Sequence, residues 1–442
     1  MDRRREESAL NSCYLIGEHL GHSFSGDIHR QFGRYEYDLK ELAPSELKGF
    51  LKRRDFLGLN VTIPYKEAVI PYLDHLDEQA AAIGAVNTVV NRNGVLWGYN
   101  TDFVGMREAI CRFTSCVPGR SILSGKTVLV LGTGGAAKTA VAVCRSLGAG
   151  ETLRVSRSEK EGALTYEEAW NCCSGAAWII NCTPVGMFPD LEGLPFNSGV
   201  FHFSHSPQGE SPACFPHLEG VFDCVYNPLR TRLVLAAQER GIPASGGLYM
   251  LVKQAAFACE LFTGKSVAEP MIEEIYKKLR FDRENLVLIG MPGAGKTTVG
   301  YRLAARIGKK FVDLDEEIVR RAGKSVSAIF SQEGENSFRE LEAKLISELA
   351  SQGGKVIATG GGTILRRENV IRLRQNGRLF FLDRSPEALN PTADRPLSDT
   401  AEKLRILYAE RYQRYLAAAD HVIANQDDLE KSVQEILMRL QQ

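Results

Sequence analysis

The sequence predicts an α/β protein whose strands are mostly parallel. Three observations carry this. Apolar runs of β type alternate with helical stretches along the whole chain, the pattern that lays helices over parallel strands. Two of these runs pass straight into glycine-rich turns followed by helical sequence, at residues 132–137 and 290–298. The length of 442 residues corresponds to roughly three units at about 150 residues each.

The elements fall in order. A first unit, residues 1–110, has strand-like runs at 14–16, 58–62 and 85–90. A second, residues 111–244, contains the first glycine turn and buried strands at 128–131 and 178–180. Within it, residues 196–218 are rich in Ser, Pro, His and Gly and read as a surface loop. Residues 245–263 form an amphipathic helix that returns to the cleft between these two units and completes the first. Residues 264–284 serve as a linker with a charged helical stretch. The third unit, residues 285–442, has buried strands at 286–289 and 355–358. All ten cysteines and all three tryptophans precede residue 265, a compositional break that marks two joined proteins.

Composition excludes several classes of function. Basic and acidic side chains balance at 54 each, which argues against a general nucleic-acid binder while leaving room for local cationic pockets. No apolar run approaches the roughly 18 residues that cross a bilayer. The start, Met1 to Glu7, lacks the apolar run of a secretory signal. The cysteines show no C-x-x-C spacing and read as reduced, buried thiols of a cytoplasmic protein. No obligate protein partner is evident.

The first glycine turn, Gly132-Thr-Gly134-Gly135-Ala136-Ala137, matches G-x-G-x-x-[GA] after a strand and before a helix. Such a turn lets a dinucleotide pyrophosphate approach a helix N-terminus. The next strand ends in Ser156-Arg157-Ser158 rather than in a carboxylate. An arginine and hydroxyls there suit a ribose 2′-phosphate, so NADP is favoured over NAD.

Four polar clusters lie at strand ends of the first unit, where ligands bind in α/β sheets. They are His22-Ser23-Phe-Ser25, Asn60-Val-Thr62-Ile-Pro-Tyr-Lys66, Gly84-Ala-Val-Asn87-Thr88 and Asn100-Thr-Asp102. Any one alone is explained by turn chemistry. Together they offer hydroxyls, an amide, a lysine and a carboxylate to a small polyhydroxylated acid. Lys66 and Asp102 form a pair able to move a proton during carbonyl reduction.

With Asn181-Cys-Thr183-Pro-Val-Gly-Met187, Tyr226-Asn-Pro and Met250-Leu-Val-Lys-Gln254, these motifs make residues 13–264 resemble shikimate dehydrogenase. The resemblance implies a substrate domain followed by a Rossmann NADP-binding domain. It implies that Lys66 and Asp102 are the catalytic pair and that Ser23 and Ser25 bind the substrate carboxylate, with Tyr226 helping there. Thr62, Asn87, Asp102 and Gln254 would hold hydroxyls. Gly132, Gly134, Gly135 and Ala136 would hold the pyrophosphate. Thr183, Met187, Gly247 and Met250 would lie near the adenosine or nicotinamide. The chain departs from the family at Gly26, where proline is usual, and at Ser156 and Ser158, where Asn and Thr are common.

The second turn, Gly290-Met-Pro-Gly293-Ala294-Gly295-Lys296-Thr297-Thr298, contains G-x-x-x-x-G-K-[ST] after an apolar strand. Its N–H groups cradle nucleotide phosphates, Lys296 reaches the β and γ oxygens, and Thr297 binds Mg²⁺. Asp313 and Asp315 alternate on a run read as an extended strand, which points both carboxylates to one edge; helix capping competes for Asp315. Arg339 and Arg411 suit bidentate binding of a carboxylate.

Phe338-Arg339-x-x-Glu342, Thr359-Gly360-Gly361-Gly362, Asp394-Arg395-Pro396-Leu397 and the late Arg411 follow in order. With the second glycine turn they make residues 285–442 resemble shikimate kinase, a P-loop domain with a parallel sheet. The resemblance implies ATP and Mg²⁺, with Asp313 on the metal and Asp315 binding shikimate and activating its hydroxyl. Arg339, Gly361, Gly362 and Arg411 would hold shikimate, and Arg395 would act on the transferring phosphoryl from a mobile lid. That lid, residues 384–398, is shorter than usual for the family.

The two resemblances together imply a bifunctional enzyme. Its first half would reduce 3-dehydroshikimate with NADPH, and its second would phosphorylate the shikimate formed. The competing enzyme reading joins a quinate-using dehydrogenase to another small-molecule kinase, such as a gluconate-type kinase. The competing non-enzyme reading is a ligand sensor on degenerate folds. Ser23, Ser25, Arg339 and Arg411 speak against the first, and intact Lys66, Asp102, Lys296 and Asp315 against the second.

Overall fold

Apolar runs of four to seven residues become the central strands of three sheets. The protein is described by a computed structural model at residues 12–21, 23–114, 122–195, 215–389, 400–425 and 428–441. It divides into two compact units, Met1–Leu279 and Arg280–Gln442.

The first unit holds two sheets. The first is mixed, with strands β1 (Ser12–Gly17), β2 (Glu36–Glu41), β3 (Gly58–Val61), β4 (His75–Leu76), β5 (Thr88–Arg92) and β6 (Val95–Tyr99) in the order β2-β1-β3-β5-β6-β4. β5 runs antiparallel to both neighbours. The start of β5 therefore meets the ends of β3 and β6 at one sheet edge. The expected strand at 85–90 begins only at Thr88, because the Val86 N–H is spent on the Lys66 carbonyl (2.8 Å) instead of on a neighbouring strand. The Asn87 cluster thus stands at the start of its strand rather than at its end.

The second sheet is wholly parallel. Its strands are β7 (Thr127–Leu131), β8 (Glu151–Ser156), β9 (Leu164–Thr165), β10 (Trp178–Asn181), β11 (Gly220–Asp223) and β12 (Ala244–Ser245), ordered β12-β11-β10-β7-β8-β9. Alternate residues face opposite layers, as a period of two requires. Val128 and Val130 pack with Ile180 and Phe222 on one face, and Leu129 and Leu131 with Ile179 and Val221 on the other.

The expected helix at 245–263 forms over Leu248–Thr263, after the short strand β12. It packs against the helix Thr101–Phe113 at Gly105, where a Cβ would stand 2.7 Å from the Met250 carbonyl. The segment read as a linker is largely a helix, Glu269–Arg283. Ile272, Ile275 and Leu279 are buried in the core of the first unit, and the division between units falls within this helix. Residues 196–214 of the expected surface loop lie outside the described residues.

The second unit has one parallel sheet of β13 (Asn285–Ile289), β14 (Lys310–Asp313), β15 (Lys355–Ala358), β16 (Gly377–Asp383) and β17 (His421–Ala424), ordered β14-β15-β13-β16-β17. Val287, Ile289, Phe381 and Ile357 face one helical layer, and Leu286, Leu288, Phe380 and Val356 face the other. This two-sided burial explains why β13 reads as an unbroken apolar run. β14 ends at Asp313, earlier than expected, because that carboxylate caps the helix Leu314–Ala322.

Candidate active sites

In the first unit, three of the polar clusters meet where β3, β5 and β6 share an edge. Lys66 lies on the short helix Tyr65–Ala68 and Asp102 in the first turn of the helix Thr101–Phe113. Lys66 Nζ donates to Asp102 Oδ2 at 2.5 Å, and the two side chains are 17% and 8% exposed. Beside them runs a buried polar network. Asn87 Nδ2 donates to Thr101 Oγ1 (3.0 Å) and Gln254 Oε1 (3.3 Å), while Asn87 Oδ1 accepts from the Thr101 N–H (2.7 Å). Tyr37 donates its hydroxyl to Asn60 Oδ1 (2.8 Å), and Asn60 Nδ2 donates to Thr88 (3.2 Å).

Ser25 opens the helix Ser25–Phe32 and is buried, and its N–H donates to Ser23 Oγ at 3.2 Å. Tyr226 hydrogen-bonds Ser23, and burial pushes the phenol's pKa above its usual value. Its ring lies 5.1 Å from that of Phe24. The two serines and the tyrosine therefore form one polar corner. Thr62 is half-buried, its N–H donated to the Ile16 carbonyl at 3.0 Å. His22, which opens this motif, lies outside the described residues.

The first glycine turn follows β7 directly. Gly132 takes φ +115°, a conformation glycine alone adopts freely. Gly134 caps the helix Gly135–Ser146, and the space where its Cβ would stand is empty within 4 Å. The backbone is therefore open to a pyrophosphate, and the helix N-terminus presents its unpaired N–H groups there. A Cβ on Gly135 would stand 3.2 Å from Lys66 Cβ, so the turn rests on the stem of the paired lysine.

Arg157 and Ser158 are exposed at the end of β8 and Ser156 is buried. Lys160, which sequence reasoning passed over, donates to Thr133 in the turn at 3.0 Å. Thr183 is tied to Asn181, Met187 is 39% exposed, and Gly247 donates its N–H to the Val225 carbonyl at 2.9 Å. Met250 is buried in the core beneath the second sheet with Met106 and Tyr249.

In the second unit, Gly293 and Gly295 both take positive φ in the turn after β13. Lys296 is buried and donates to the Gly290 (2.9 Å) and Met291 (2.8 Å) carbonyls. Ala294 is buried within the turn, and Thr298 is exposed one residue beyond Thr297. Thr297 Oγ1 donates to Asp313 Oδ2 at 2.6 Å. The other Asp313 oxygen accepts from the N–H groups of Asp315 (3.0 Å) and Glu316 (3.3 Å). The capping role weighed for Asp315 thus falls to Asp313, and Asp315 sits in the first helical turn rather than on the strand.

Asp315 still reaches the triple glycine: a Cβ on Gly360 would lie 2.9 Å from its Oδ1 and 3.0 Å from Glu342 Oε1. A Cβ on Gly362 would fall 2.1 Å from Arg339 Nη2, so glycine is what lets the guanidinium lie there. Arg339 pairs with Glu342 (3.0 Å) and Glu335 (3.0 Å). Glu342 is fully buried and accepts from Thr363 at 2.5 Å. Burial raises its pKa, against the lowering effect of Arg339. Arg411 (3.2 Å) and Tyr415 (2.5 Å) both donate to the Gly361 carbonyl. Arg395 and the rest of residues 390–399 lie outside the described residues.

The Shikimate dehydrogenase substrate binding domain model matches residues 15–89, and the Shikimate kinase model matches residues 292–441. A shikimate dehydrogenase (NADP(+)) of Pelodictyon phaeoclathratiforme is 34% identical over 293 residues, spanning 59% of this chain and 96% of that protein. The chain belongs to the shikimate dehydrogenase family. Its second unit carries a shikimate kinase domain.

Solved shikimate dehydrogenase structures repeat the likeness. A chorismate mutase/shikimate 5-dehydrogenase fusion protein from Clostridium acetobutylicum is 32% identical with a TM-score of 0.53, covering 61% of this chain and 97% of that one. A Thermus thermophilus shikimate 5-dehydrogenase, solved with NADP(H) and shikimate, is 31% identical with a TM-score of 0.50, covering 60% and 98%. Asn60, Thr88, Thr101 and Glu342 stand in the motifs quoted above with no role assigned to them there; the structure places them, with Thr363 and Tyr415, in the buried polar clusters. Thr363 directly follows the triple glycine and Tyr415 closes the Arg411-Tyr-Gln-Arg-Tyr415 run, and the signal available was an uncharged or acidic polar residue inside an otherwise buried segment.

Proposed function

We propose that the first unit reduces 3-dehydroshikimate to shikimate with NADPH, and that the second phosphorylates shikimate at its 3-hydroxyl with MgATP. One observation carries the reading of the first unit. The Lys66 ammonium is bonded to Asp102 while its stem lies under Gly135 of the dinucleotide turn. An acid–base pair and a hydride-donor site are thereby side by side.

The residues present fit both cofactors. The open backbone at Gly134 would admit a pyrophosphate, and Arg157, exposed at the end of β8, would pair with a ribose 2′-phosphate. Thr297 and Asp313 supply hard oxygen donors, which suit Mg²⁺. When bound, NADPH supplies the hydride and MgATP the phosphoryl group.

In the first unit, Lys66 delivers a proton to the ketone oxygen as it gains charge, and Asp102 orients the ammonium and takes a substrate hydroxyl. Ser23, Ser25 and Tyr226 hold the carboxylate, and Thr62, Asn87 and Gln254 the hydroxyls. In the second unit, Arg339 and Arg411 hold the shikimate carboxylate against Gly361 and Gly362. Asp315 accepts the hydroxyl proton, and Lys296 and Arg395 balance charge on the transferring group. The substrate domain is 1–110 with helix 245–263, the Rossmann domain 111–244, and the kinase domain 285–442. We place both reactions in the cytoplasm, where thiols such as the contacting pair Cys182 and Cys224 stay reduced.

The test is a coupled assay of the purified chain with 3-dehydroshikimate, NADPH and MgATP. Shikimate 3-phosphate is the expected product. Its absence from folded protein, or faster turnover on quinate or gluconate, refutes the reading. Tight binding with only background turnover points to a sensor instead.

A further inference from the structure

Asp223 ends β11 and is fully buried, and the reaction proposed above makes no use of it. Its Oδ1 accepts from Asn181 Nδ2 (2.9 Å) and the Val225 N–H (3.0 Å), and its Oδ2 accepts from the Thr231 hydroxyl (2.7 Å). All three donors are neutral. Burial pushes the carboxyl's pKa up to about 7, against the lowering effect of these donors. Keeping such a group in a core is costly, the three hydrogen bonds offset that cost, and a satisfied buried network of this kind rigidifies what it joins.

Each bond leads to a different piece of the cleft. Asn181, paired with Asp223 across β10 and β11, uses its Oδ1 to accept from the N–H (3.0 Å) and hydroxyl (2.7 Å) of Thr183. The Thr183 segment backs the dinucleotide turn: a Cβ on Gly132 would stand 3.3 Å from the Cys182 carbonyl and 3.4 Å from Thr183 Cγ2. The Val225 bond fixes the residue before Tyr226, which in turn hydrogen-bonds Ser23. Thr231 caps the helix Arg232–Glu239 that closes the same segment.

We propose that Asp223 is a positioning residue that sets two walls of the dehydrogenase cleft at once. Through Asn181 and Thr183 it holds the wall behind the dinucleotide turn, and through Val225 it holds the segment that presents Tyr226 to Ser23. The inference rests on the dehydrogenase reading of the first unit. Wild-type reduction of 3-dehydroshikimate with NADPH tests that reading separately, before any variant is compared.

The experiment is steady-state kinetics on the full chain, with kinase rate and a circular-dichroism melt as controls for folding. Asp223→Ala removes all three bonds and is expected to raise KM for both NADPH and 3-dehydroshikimate about tenfold, with kcat within about threefold. Asp223→Asn keeps an oxygen for Asn181 and Val225 and should restore both KM values to within about threefold of wild type. Asn181→Ala cuts one arm and should raise KM for NADPH alone.

Unchanged KM values in Asp223→Ala overturn the proposal, as does an equal rise of both in Asn181→Ala. A melting point lowered without any change in KM marks a purely structural role and also overturns it. Should Asp223→Ala fail to fold, Asn181→Ala decides alone by the same criterion.

Discussion

Replacing Lys66 by methionine separates the chemistry of this residue from its packing. Lys66 Cβ and Cδ lie 3.2 and 3.3 Å from the place a Cβ on Gly135 would occupy. A methionine, with sulfur at the δ position, keeps both points of support under the dinucleotide turn, whereas alanine keeps only the Cβ. What is lost is the ammonium, 2.5 Å from Asp102. General acid catalysis contributes about 10²–10⁴ in rate, which is about 3–5 kcal/mol of barrier at 1.36 kcal/mol per decade. The expected result for Lys66→Met is therefore a kcat lowered by about two to four decades, with KM for NADPH within about threefold. NADPH absorbance with 3-dehydroshikimate measures the first activity, and ADP release with shikimate and MgATP measures the second in the same sample. Kinase activity should be unchanged, and Lys296→Ala should show the reverse pattern. A kcat within about tenfold of wild type would mean that Lys66 is not the proton source. Loss of both activities in folded protein would refute the assignment of one site to each unit.

Three further outcomes are expected. Glu342→Ala leaves Arg339 with Glu335 alone and Thr363 without its acceptor. Breaking a buried pair costs about 3–5 kcal/mol; the retained Glu335 contact reduces this to about 2–3 kcal/mol. Urea unfolding of the second unit reads that loss, and KM for shikimate should rise with it; unchanged stability would show that the pair contributes nothing. Arg157→Ala should raise KM for NADPH about tenfold and leave KM for NADH unaffected, and an equal effect on both would remove Arg157 from 2′-phosphate recognition. The last concerns pH. The folded pKa of Asp223, about 7, lies above its unfolded value of about 3.9. Between these values the native state binds more protons, so this group's contribution to stability falls as pH rises from about 4 to about 7. Asp223→Asn does not ionise, so the melting point of the variant minus that of wild type should increase across that window; a difference independent of pH would contradict it.

Much of this protein is legible in its sequence because its chemistry sits in local patterns. A glycine turn between a strand and a helix needs only a few consecutive residues, so both glycine turns and the central strands β7, β10, β13 and β15 could be read directly. The break in cysteine and tryptophan use placed the join between two enzymes near where the compact units divide. What only tertiary structure decided depends on partners distant in sequence. The reversal of β5 brings Asn87 to the edge occupied by Lys66 and Asp102, a matter of sheet order that no local pattern encodes. Whether Asp313 or Asp315 caps a helix turned on where β14 stops. Gln254 meets Asn87 across 167 residues because Gly105 allows two helices to touch. Glu342 and Asp223 read as ordinary acids in sequence and become buried anchors only when surrounding strands and helices exclude water from them. Local sequence thus determined which groups could do the chemistry, and long-range packing decided which of them stand together and which hold the others in place.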